Sequence, residues 1–306
     1  MYDLVIIGGG PAGVAAGVYA ARKKIKALVI AENFGGQSVV SAGIENWIGA
    51  KSLSGFDFAR NLEEHLRAQE DLEIMDGDRV VRVQKNANYF LIATAQGKTI
   101  ETKTIFVGSG SRRRTLGIPG EKEFNGKGVA YCATCDAPIF KNKDVAVVGG
   151  GNAGLESVRD LIPYASKIYL LNRSAELKGD ALTQEKIRAS EKVEIILNAV
   201  TKEIYGDNSV SGFKYTDTKT GAEKDLAVSG VFVEIGSLPN TDFLKGIVEL
   251  NNFGEMIIDH KTQSSSIPGI WGAGDVTDVL YKQNNISAGD AIKAVLNIND
   301  YLHKKK

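Results

Sequence analysis

The sequence of residues 3–13 reads DLVIIGGGPAG, and that of residues 144–154 reads DVAVVGGGNAG. In each copy a short apolar strand runs into a glycine turn of the form Gly-x-Gly-x-x-Gly, and a helix is predicted to begin in that turn. The glycines permit a tight turn and let backbone N–H groups approach a pyrophosphate at the helix N-terminus. One such motif is weak evidence. Two copies, each between a strand and a helix, predict two dinucleotide-binding units.

The similarity between the two halves extends beyond the glycine turns. Apolar strands at 27–30 and 167–171 follow the two predicted helices, and each half closes on an apolar strand ending in glycine, at 105–108 and 231–236. Duplicated alternation of strands and helices is typical of doubly wound sheets. We therefore predict an α/β fold of two Rossmann-like (three-layer ββα) dinucleotide-binding domains.

Two segments rich in glycine and proline mark the predicted domain junctions, at 117–120 and 236–240. Residues 245–306 are too short to form a domain with its own sheet, so we expect them to complete the first domain. The predicted division is a discontinuous first domain, residues 1–116 and 245–306, and a second domain, residues 117–244.

The bulk composition excludes several classes of partner. The 306 residues include 37 Lys and Arg against 37 Asp and Glu, a net charge of zero, so neither nucleic acid nor an anionic membrane is an expected partner. No apolar run approaches the length of a membrane span, and the first ten residues are predicted as a strand rather than a signal sequence. We expect a soluble cytoplasmic protein, a setting in which thiols are more often catalytic than structural.

The only two cysteines lie in the segment Cys132-Ala133-Thr134-Cys135, directly before Asp136 and shortly before the second glycine turn. Residues three apart share a helix face, so the two sulfurs can meet. A helix N-terminus lowers the pKa of a thiol, and an adjacent carboxyl group can exchange the proton that thiol–disulfide chemistry moves. The segment favours a redox-active dithiol with Cys132, Cys135 and Asp136 as catalytic residues.

Two alternatives for the cysteine pair are half of a zinc site and incidental buried thiols. A zinc site needs further ligands, and the chain has no second Cys-x-x-Cys segment. Its three histidines, His65, His260 and His303, are scattered without ligand spacing. We therefore expect no metal.

With these features together, the chain resembles the low-molecular-weight thioredoxin reductase family over essentially its whole length. The second half, notably VEIILNA and IGSLPNTDFL, is also similar to the reductase portion of the alkyl hydroperoxide reductase flavoprotein subunit. The segments that carry the first resemblance are GGGPAG, FGGQ at 34–37, IENW at 44–47, LGIPGE at 116–121, CATCD, GGGNAG, GIWGAGDV at 269–276 and YKQ at 281–283.

The resemblance assigns the first glycine turn to FAD. It implies that Glu32 binds ribose hydroxyls, that Asp275 binds the ribityl and phosphate region, and that Gln37, Asn46 and Gln283 lie beside the isoalloxazine ring. The full implied set for FAD is Gly8, Gly10, Pro11, Ala12, Gly13, Glu32, Gly36, Gln37, Asn46, Gly110, Gly274, Asp275, Lys282 and Gln283.

The second glycine turn is assigned to a pyridine nucleotide, and here the chain departs from the family. NADPH-dependent members carry a His-Arg-Arg run and a further Arg that clamp the 2′-phosphate; this chain keeps only Arg173 and Lys178. The acid that would favour NADH is replaced by Asn172. Two further departures are Gly154, where NADPH-binding relatives more often have Ala, and Lys282, where the family usually has Arg. The implied nucleotide residues are Gly149, Gly151, Asn152, Ala153, Gly154, Arg173 and Lys178.

The resemblance implies that Cys135 faces the flavin as the charge-transfer thiolate and that Cys132 exchanges with the substrate disulfide. The predicted function is a homodimeric flavoprotein that passes electrons from NADPH through FAD and the dithiol to thioredoxin or a thioredoxin-like protein. NADH, ferredoxin or another flavin stay open as donors. The alternatives are an NADH-dependent reductase that feeds a peroxiredoxin system, and a flavin-binding redox sensor or assembly partner without turnover.

Overall fold

The computed structural model describes residues 1–41 and 43–304. The chain divides into two compact units. The first unit comprises Met1–Val39, Trp47–Arg112 and Leu238–Lys306; the second comprises Val40–Asn46 and Arg113–Ser237.

The secondary structure alternates strands and helices in both halves. The strands are β1 (Tyr2–Ile7), β2 (Ala27–Ala31), β3 (Glu73–Asp76), β4 (Val80–Lys85), β5 (Phe90–Thr94), β6 (Thr99–Val107), β7 (Ser111–Arg113), β8 (Val129–Ala130), β9 (Asp144–Val148), β10 (Lys167–Asn172), β11 (Val193–Leu197), β12 (Ala199–Gly206), β13 (Val210–Asp217), β14 (Glu223–Ala227), β15 (Gly230–Val233), β16 (Ser237–Pro239), β17 (Ile258–Asp259), β18 (Ser264–Ser265) and β19 (Ile270–Gly272). The α-helices are α1 (Pro11–Arg22), α2 (Gly55–Arg67), α3 (Ala133–Asp136), α4 (Asn152–Leu161), α5 (Ala181–Arg188) and α6 (Asn284–Lys304), and 3-10 turns span Gly36–Val40, Ala137–Phe140 and Asp242–Leu244.

The first unit is built on a sheet with the strand order β17-β18-β19-β6-β1-β2-β3, to which the hairpin β4–β5 is added through β6. Strand β1 lies in the middle and runs parallel to β2 and β6; Val5 is paired with Leu28 on one side and with Ile105 on the other. Strand β19, from the last third of the chain, is parallel to β6. The C-terminal segment therefore contributes to this sheet.

Successive side chains of β1 enter two different cores, because neighbours along a strand point to opposite faces. Leu4 and Ile6 pack with α1 and α6, whereas Val5 and Ile7 pack with β4, β5 and the segment near Leu244. Each of these buried side chains contributes roughly 1.5–3 kcal/mol relative to exposure. The first unit therefore has a helical layer, a central sheet and a second β layer.

The second unit repeats this layering. Its parallel sheet has the order β11-β10-β9-β15-β8, and β12, β13 and β14 form an antiparallel sheet. In β9, Val145 and Val147 pack with α4 and α3, whereas Ala146 and Val148 pack with β12 and β13. The prediction of an α/β fold with two Rossmann-like domains, the first discontinuous, is confirmed.

The unit boundaries fall a few residues from the predicted junctions. Residues 113–116 belong to the second unit and residues 238–244 to the first. Hydrogen bonds on each side account for this: Arg114 N donates to Gly236 O at 3.0 Å within the second unit, and Asn240 N donates to Gly110 O at 3.0 Å within the first. Residues 40–46, which the prediction placed in the first domain, also group with the second unit.

None of the helices in the described ranges is both long enough and apolar enough to cross a membrane.

Candidate functional site

The first glycine turn joins β1 to α1 with very close backbone packing. Gly8 has a φ of +116°, and a Cβ there would overlap the carbonyl of Gly108; a Cβ on Gly13 would overlap the carbonyl of Gly8. Gly10 is the N-cap of α1 and has no side chain to cap the first N–H groups of the helix. The nearest atom to a Cβ on Gly10 is Gly36 Cα at 3.9 Å, so the space in front of the helix is open.

A polar cluster in the same unit brings together side chains from three parts of the chain. Gln37 Nε2 donates to Ser111 Oγ at 3.0 Å and to Asp275 Oδ2 at 3.3 Å, and Ser111 Oγ approaches the same oxygen at 3.5 Å. Gln37 and Asp275 were both predicted as FAD residues. Ser111 was not predicted, because no sequence motif marks it.

Lys282 fixes the backbone around Asp275. Its Nζ donates to the carbonyls of Asp275 at 3.3 Å and Thr277 at 2.5 Å and forms an ion pair of 2.9 Å with Glu255. The Lys282 and Glu255 side chains are 28% and 20% exposed. An arginine fork would not reproduce this geometry, because the ammonium here serves two carbonyls and one carboxylate from a single point.

These features fit FAD. An uncapped helix N-terminus with room in front of it suits a pyrophosphate, and the cluster of Gln37 and Asp275 offers amide and carboxylate groups to a polyol chain. Glu32 is exposed at the end of β2 and forms an ion pair of 3.9 Å with Arg79. Gln283 directly precedes α6 and is half-buried, whereas Asn46 lies in the segment that groups with the second unit.

The second glycine turn repeats the geometry of the first. A Cβ on Gly149 would overlap the carbonyl of Glu234, and a Cβ on Gly154 would overlap the carbonyl of Gly149. Gly151 is the N-cap of α4, and no atom lies within 4 Å of a Cβ built on it. A second helix N-terminus thus faces open space, which fits the pyrophosphate of a pyridine nucleotide.

The loop after β10 folds over this second turn. The Lys178 backbone N–H donates to Gly150 O at 2.8 Å, and the Asn172 side-chain amide donates to two carbonyls of the loop at 3.0 and 2.8 Å. Arg173 and Lys178 are exposed at the two ends of this loop. Two positive charges therefore flank the turn, while the Asn172 amide holds the loop in place.

Of the remaining predicted nucleotide residues, Asn152 has a structural partner. Its Oδ1 accepts a hydrogen bond of 2.8 Å from the backbone N–H of Asp180. Ala153 is exposed in the first turn of α4. Asn152 therefore fixes the loop to the helix that begins at the glycine turn.

The two cysteines form a disulfide, which confirms that they are close enough to act as a pair. Cys132 is the N-cap of α3, and its carbonyl accepts hydrogen bonds from the backbone N–H groups of Cys135 at 3.2 Å and Asp136 at 3.0 Å. Helix α3 is a single turn, so its dipole is small and lowers the pKa of a thiol only slightly. Neighbouring charges and hydrogen bonds must therefore have the larger effect on the pKa of the thiols.

Asp136 is the nearest acid in sequence to the disulfide. Burial raises its pKa to about 6, while a hydrogen bond from Ser41 and the charge of Arg113 act in the opposite direction. Ser41 Oγ donates to Asp136 Oδ1 at 3.3 Å, which ties the segment 40–46 to the second unit. A carboxyl group with this pKa can accept and release a proton near neutral pH.

The segment Cys132–Asp136, which carries the disulfide and is called the redox turn below, is held by helix α4. The side chains that hold it were not predicted from the sequence. Thr134 Oγ1 donates to Asp160 Oδ2 at 2.9 Å, and Ser157 Oγ donates to Glu234 Oε1 at 2.7 Å. Only Glu234 left a signal in the sequence, as an acid inside the apolar run Val231–Ile235. The helix that begins at the second glycine turn is thus bonded to the segment that carries the cysteines.

The comparisons with known proteins agree with this arrangement. The sequence model of the pyridine nucleotide-disulphide oxidoreductases matches residues 2–293. The chain belongs to this family. The family's description joins a pyridine nucleotide to a disulfide, the two groups that the second glycine turn and the cysteine pair predict.

Two solved structures are similar to the chain over nearly its whole length. The thioredoxin reductase of Streptococcus pyogenes MGAS5005 is 34% identical with a TM-score of 0.92, and that of Giardia duodenalis is 30% identical with a TM-score of 0.91; each alignment covers 99% of both chains. The predicted resemblance to thioredoxin reductases is confirmed.

Among curated family members, a protein named NADH dehydrogenase of Bacillus subtilis (strain 168) is 44% identical over 301 residues. An alkyl hydroperoxide reductase component of Staphylococcus aureus (strain MRSA252) is 43% identical over 301 residues. These alignments cover 98% of this chain but only 58% and 59% of the relatives. The chain therefore spans well under two thirds of their length.

Proposed function

We propose that this chain is a thioredoxin-disulfide reductase that takes electrons from a reduced pyridine nucleotide, with NADPH favoured, and passes them through FAD and the Cys132–Cys135 pair to thioredoxin or a thioredoxin-like protein. The observation that carries the proposal is the disulfide on a turn bonded to α4, with a carboxyl group of pKa about 6 directly beside it. A structural disulfide needs no such proton acceptor.

The first unit supplies the FAD site in this proposal. The N-terminus of α1 would bind the pyrophosphate through its N–H groups, and Gln37 and Asp275 would orient the ribityl region. Lys282 keeps the Asp275 backbone in position through its hydrogen bonds. FAD, when bound, supplies the hydride acceptance and the two-electron transfer that amino-acid side chains lack.

The cysteines carry out the exchange with the protein substrate. The Cys132 thiolate attacks the substrate disulfide, so a mixed disulfide forms and one substrate thiolate leaves. Cys135 then attacks the Cys132 sulfur, which restores the Cys132–Cys135 bond and releases the second substrate thiolate. Two electrons and the Cys135 proton move to the substrate, which leaves as one thiol and one thiolate. Asp136, ionised at pH 7, takes the proton of the Cys135 thiol and returns it to the departing thiolate.

The donor preference rests on the charges at the second turn. Arg173 and Lys178 can bind the 2′-phosphate of NADPH, and the last residue of β10, where an acid would repel that phosphate, is Asn172. With one arginine rather than a pair, we expect the preference for NADPH over NADH to be modest.

The second candidate function is an NADH-dependent reductase that feeds a peroxiredoxin system. Its support is the 43% identity to the alkyl hydroperoxide reductase component over 98% of this chain. The two candidates share the dithiol chemistry and differ in the nucleotide and in the protein that is reduced.

Anaerobic stopped-flow measurement separates these possibilities. FAD-loaded protein is mixed with NADPH or NADH, the rate of flavin bleaching is recorded, and oxidised thioredoxin or oxidised peroxiredoxin is then added. We expect bleaching by NADPH and reoxidation by thioredoxin. Bleaching by NADH alone, with reoxidation only when a peroxiredoxin system is present, would replace the first candidate by the second.

The matched control is the Cys135→Ser variant. We expect its flavin to be bleached by the nucleotide at the wild-type rate, and its thioredoxin reduction to be lost. Bleaching that no disulfide protein reverses in the wild type would show that the chain is a redox sensor without turnover.

A further inference from the structure

Glu234 is a buried carboxyl group next to the redox turn that the mechanism above does not use. Its residue is 8% exposed, and its Oε1 accepts a hydrogen bond of 2.7 Å from Ser157, which is 4% exposed on α4. Strands β15 and β8 are paired, so Glu234 and Cys132, each two residues beyond a paired residue, lie at the same end of the sheet. The backbone N–H of Ala133, between the two cysteines, favours the ionised form of Glu234. The carboxyl group therefore connects the helix of the second glycine turn to the segment that carries the disulfide.

The charged form of this carboxyl group is costly. Burial raises the pKa of Glu234 to about 7. The hydrogen bond from Ser157, the charge of Arg113 and the backbone N–H of Ala133 lower this pKa. The charge of the exposed Glu156 on α4 raises it further. The group therefore exchanges a proton in the pH range where the dithiol works.

The Ala133 amide, which a negative charge on Glu234 attracts, belongs to a residue one position from Cys132 and two from Cys135. Like charges oppose each other's formation, so an ionised Glu234 raises the pKa of the thiols, and a thiolate raises the pKa of Glu234. In the disulfide state no thiolate is present and Glu234 ionises more readily. Reduction of the disulfide therefore favours proton uptake by Glu234.

We propose that Glu234 is a positioning residue of the redox turn, which orients the Ala133 amide and holds one proton while Cys132 and Cys135 are reduced. This rests on the proposed function for the source of electrons. With two electrons and two protons, the disulfide becomes one thiol and one thiolate, and the Glu234 carboxylate becomes a carboxylic acid. When a substrate disulfide reoxidises the pair, Glu234 releases its proton, which leaves the turn with the departing substrate thiolate.

The test measures thiolate reactivity in the reduced, FAD-loaded full chain, with iodoacetamide as the probe, between pH 5.5 and 9. At pH 8 we expect Glu234→Gln to react about threefold to tenfold faster than the wild type, because a charge that raises a thiol pKa by one unit is removed. At pH 5.5, where Glu234 is neutral in the wild type, the two proteins should react at the same rate. Equal rates at both pH values, or an equal difference at both, would overturn the proposal.

Two further variants distinguish an effect of the Glu234 charge from an effect of altered packing. Ser157→Ala keeps the carboxyl group of Glu234 but removes a hydrogen-bond donor that favours its ionised form, so the pKa of Glu234 should rise. The reactivity of Ser157→Ala should therefore begin to fall below that of Glu234→Gln at a higher pH than the reactivity of the wild type does. Glu156→Gln removes an exposed charge from the same helix and should stay within about twofold of the wild type at pH 8. An unmoved inflection in Ser157→Ala would contradict the role of Glu234.

This measurement needs no pyridine nucleotide and no thioredoxin. Failure of thioredoxin reduction together with the expected alkylation pattern would reject the proposed function and leave the role of Glu234 intact. Successful thioredoxin reduction without the expected alkylation pattern would reject the role of Glu234 and leave the proposed function intact.

Discussion

Ser41 Oγ donates a hydrogen bond of 3.3 Å to Asp136 Oδ1 and so joins residues 95 apart in the sequence. The bond favours the ionised form of Asp136, against the burial that raises its pKa. Ser41 thus lowers the pKa of Asp136, the acid beside the disulfide, against the larger effect of burial.

The first prediction concerns this pair. Asp136→Asn should slow reduction of a disulfide substrate by about a hundredfold or more, the usual contribution of a general acid–base group. In the wild type the rate should rise with pH through about 6, as Asp136 ionises. In Ser41→Ala the pKa of Asp136 should be higher, so the rise of the rate should occur at a higher pH. A profile unchanged in both variants would exclude Asp136 from proton transfer.

The second prediction concerns the first glycine turn. Gly10→Ala should lower the stability of the FAD-free protein by no more than about 1 kcal/mol, the cost of alanine at an N-cap, since its Cβ meets nothing closer than 3.9 Å. FAD binding, measured by fluorescence titration, should weaken more than tenfold because the methyl group occupies the space of the pyrophosphate. Gly289→Ala, at an exposed position in α6, is the control and should keep full FAD affinity. Wild-type affinity in Gly10→Ala would place FAD elsewhere.

The third prediction concerns the nucleotide. Arg173→Ala should raise KM for NADPH at least tenfold and leave KM for NADH within twofold, because only NADPH has a 2′-phosphate. Arg188→Ala, at another exposed arginine of the second unit, is the control and should change neither value. Equal effects of Arg173→Ala on both nucleotides would show that Arg173 does not bind the phosphate.

The fourth prediction concerns stability and pH. Glu234 has a pKa of about 7 in the folded protein, raised from 4.5. Its contribution to stability is therefore fully present below pH 4.5 and is lost as the pH rises through 7. Between pH 4.5 and 8 the unfolding free energy of the wild type should fall, relative to that of Glu234→Gln, by at most about 3 kcal/mol. Urea unfolding of both proteins at pH 5 and pH 8 measures this; a constant difference would contradict it.

Local features of the fold were predictable because local chemistry determines them. The glycines of both turns were placed correctly between a strand and a helix, since a side chain at Gly13 or Gly154 would collide with the preceding turn whatever the rest of the chain does. The apolar runs of β1 and β9 are buried on both faces, so their sequence alone indicates a central parallel strand.

The partners of the redox turn were not predictable in the same way. Ser157 and Glu234 are 77 residues apart, and they meet only because β15 pairs with β9 and α4 crosses the same end of the sheet. The bond between Ser41 and Asp136 likewise depends on a segment that leaves its neighbours in sequence and groups with the other unit. Single polar residues carry no periodic pattern, so their contacts follow from strand pairing alone.

Helix α4 begins at the glycine turn and is bonded through Thr134 and Ser157 to the cysteine segment and its buried acid. A methyl group at Gly154 would collide with Gly149, so the helix would have to shift. Installing alanine at this position to alter coenzyme selectivity would therefore also displace the helix that is bonded to the cysteine segment. At Gly154 the nucleotide site and the dithiol cannot be altered separately, whereas the exposed Arg173 allows a change at the nucleotide site alone.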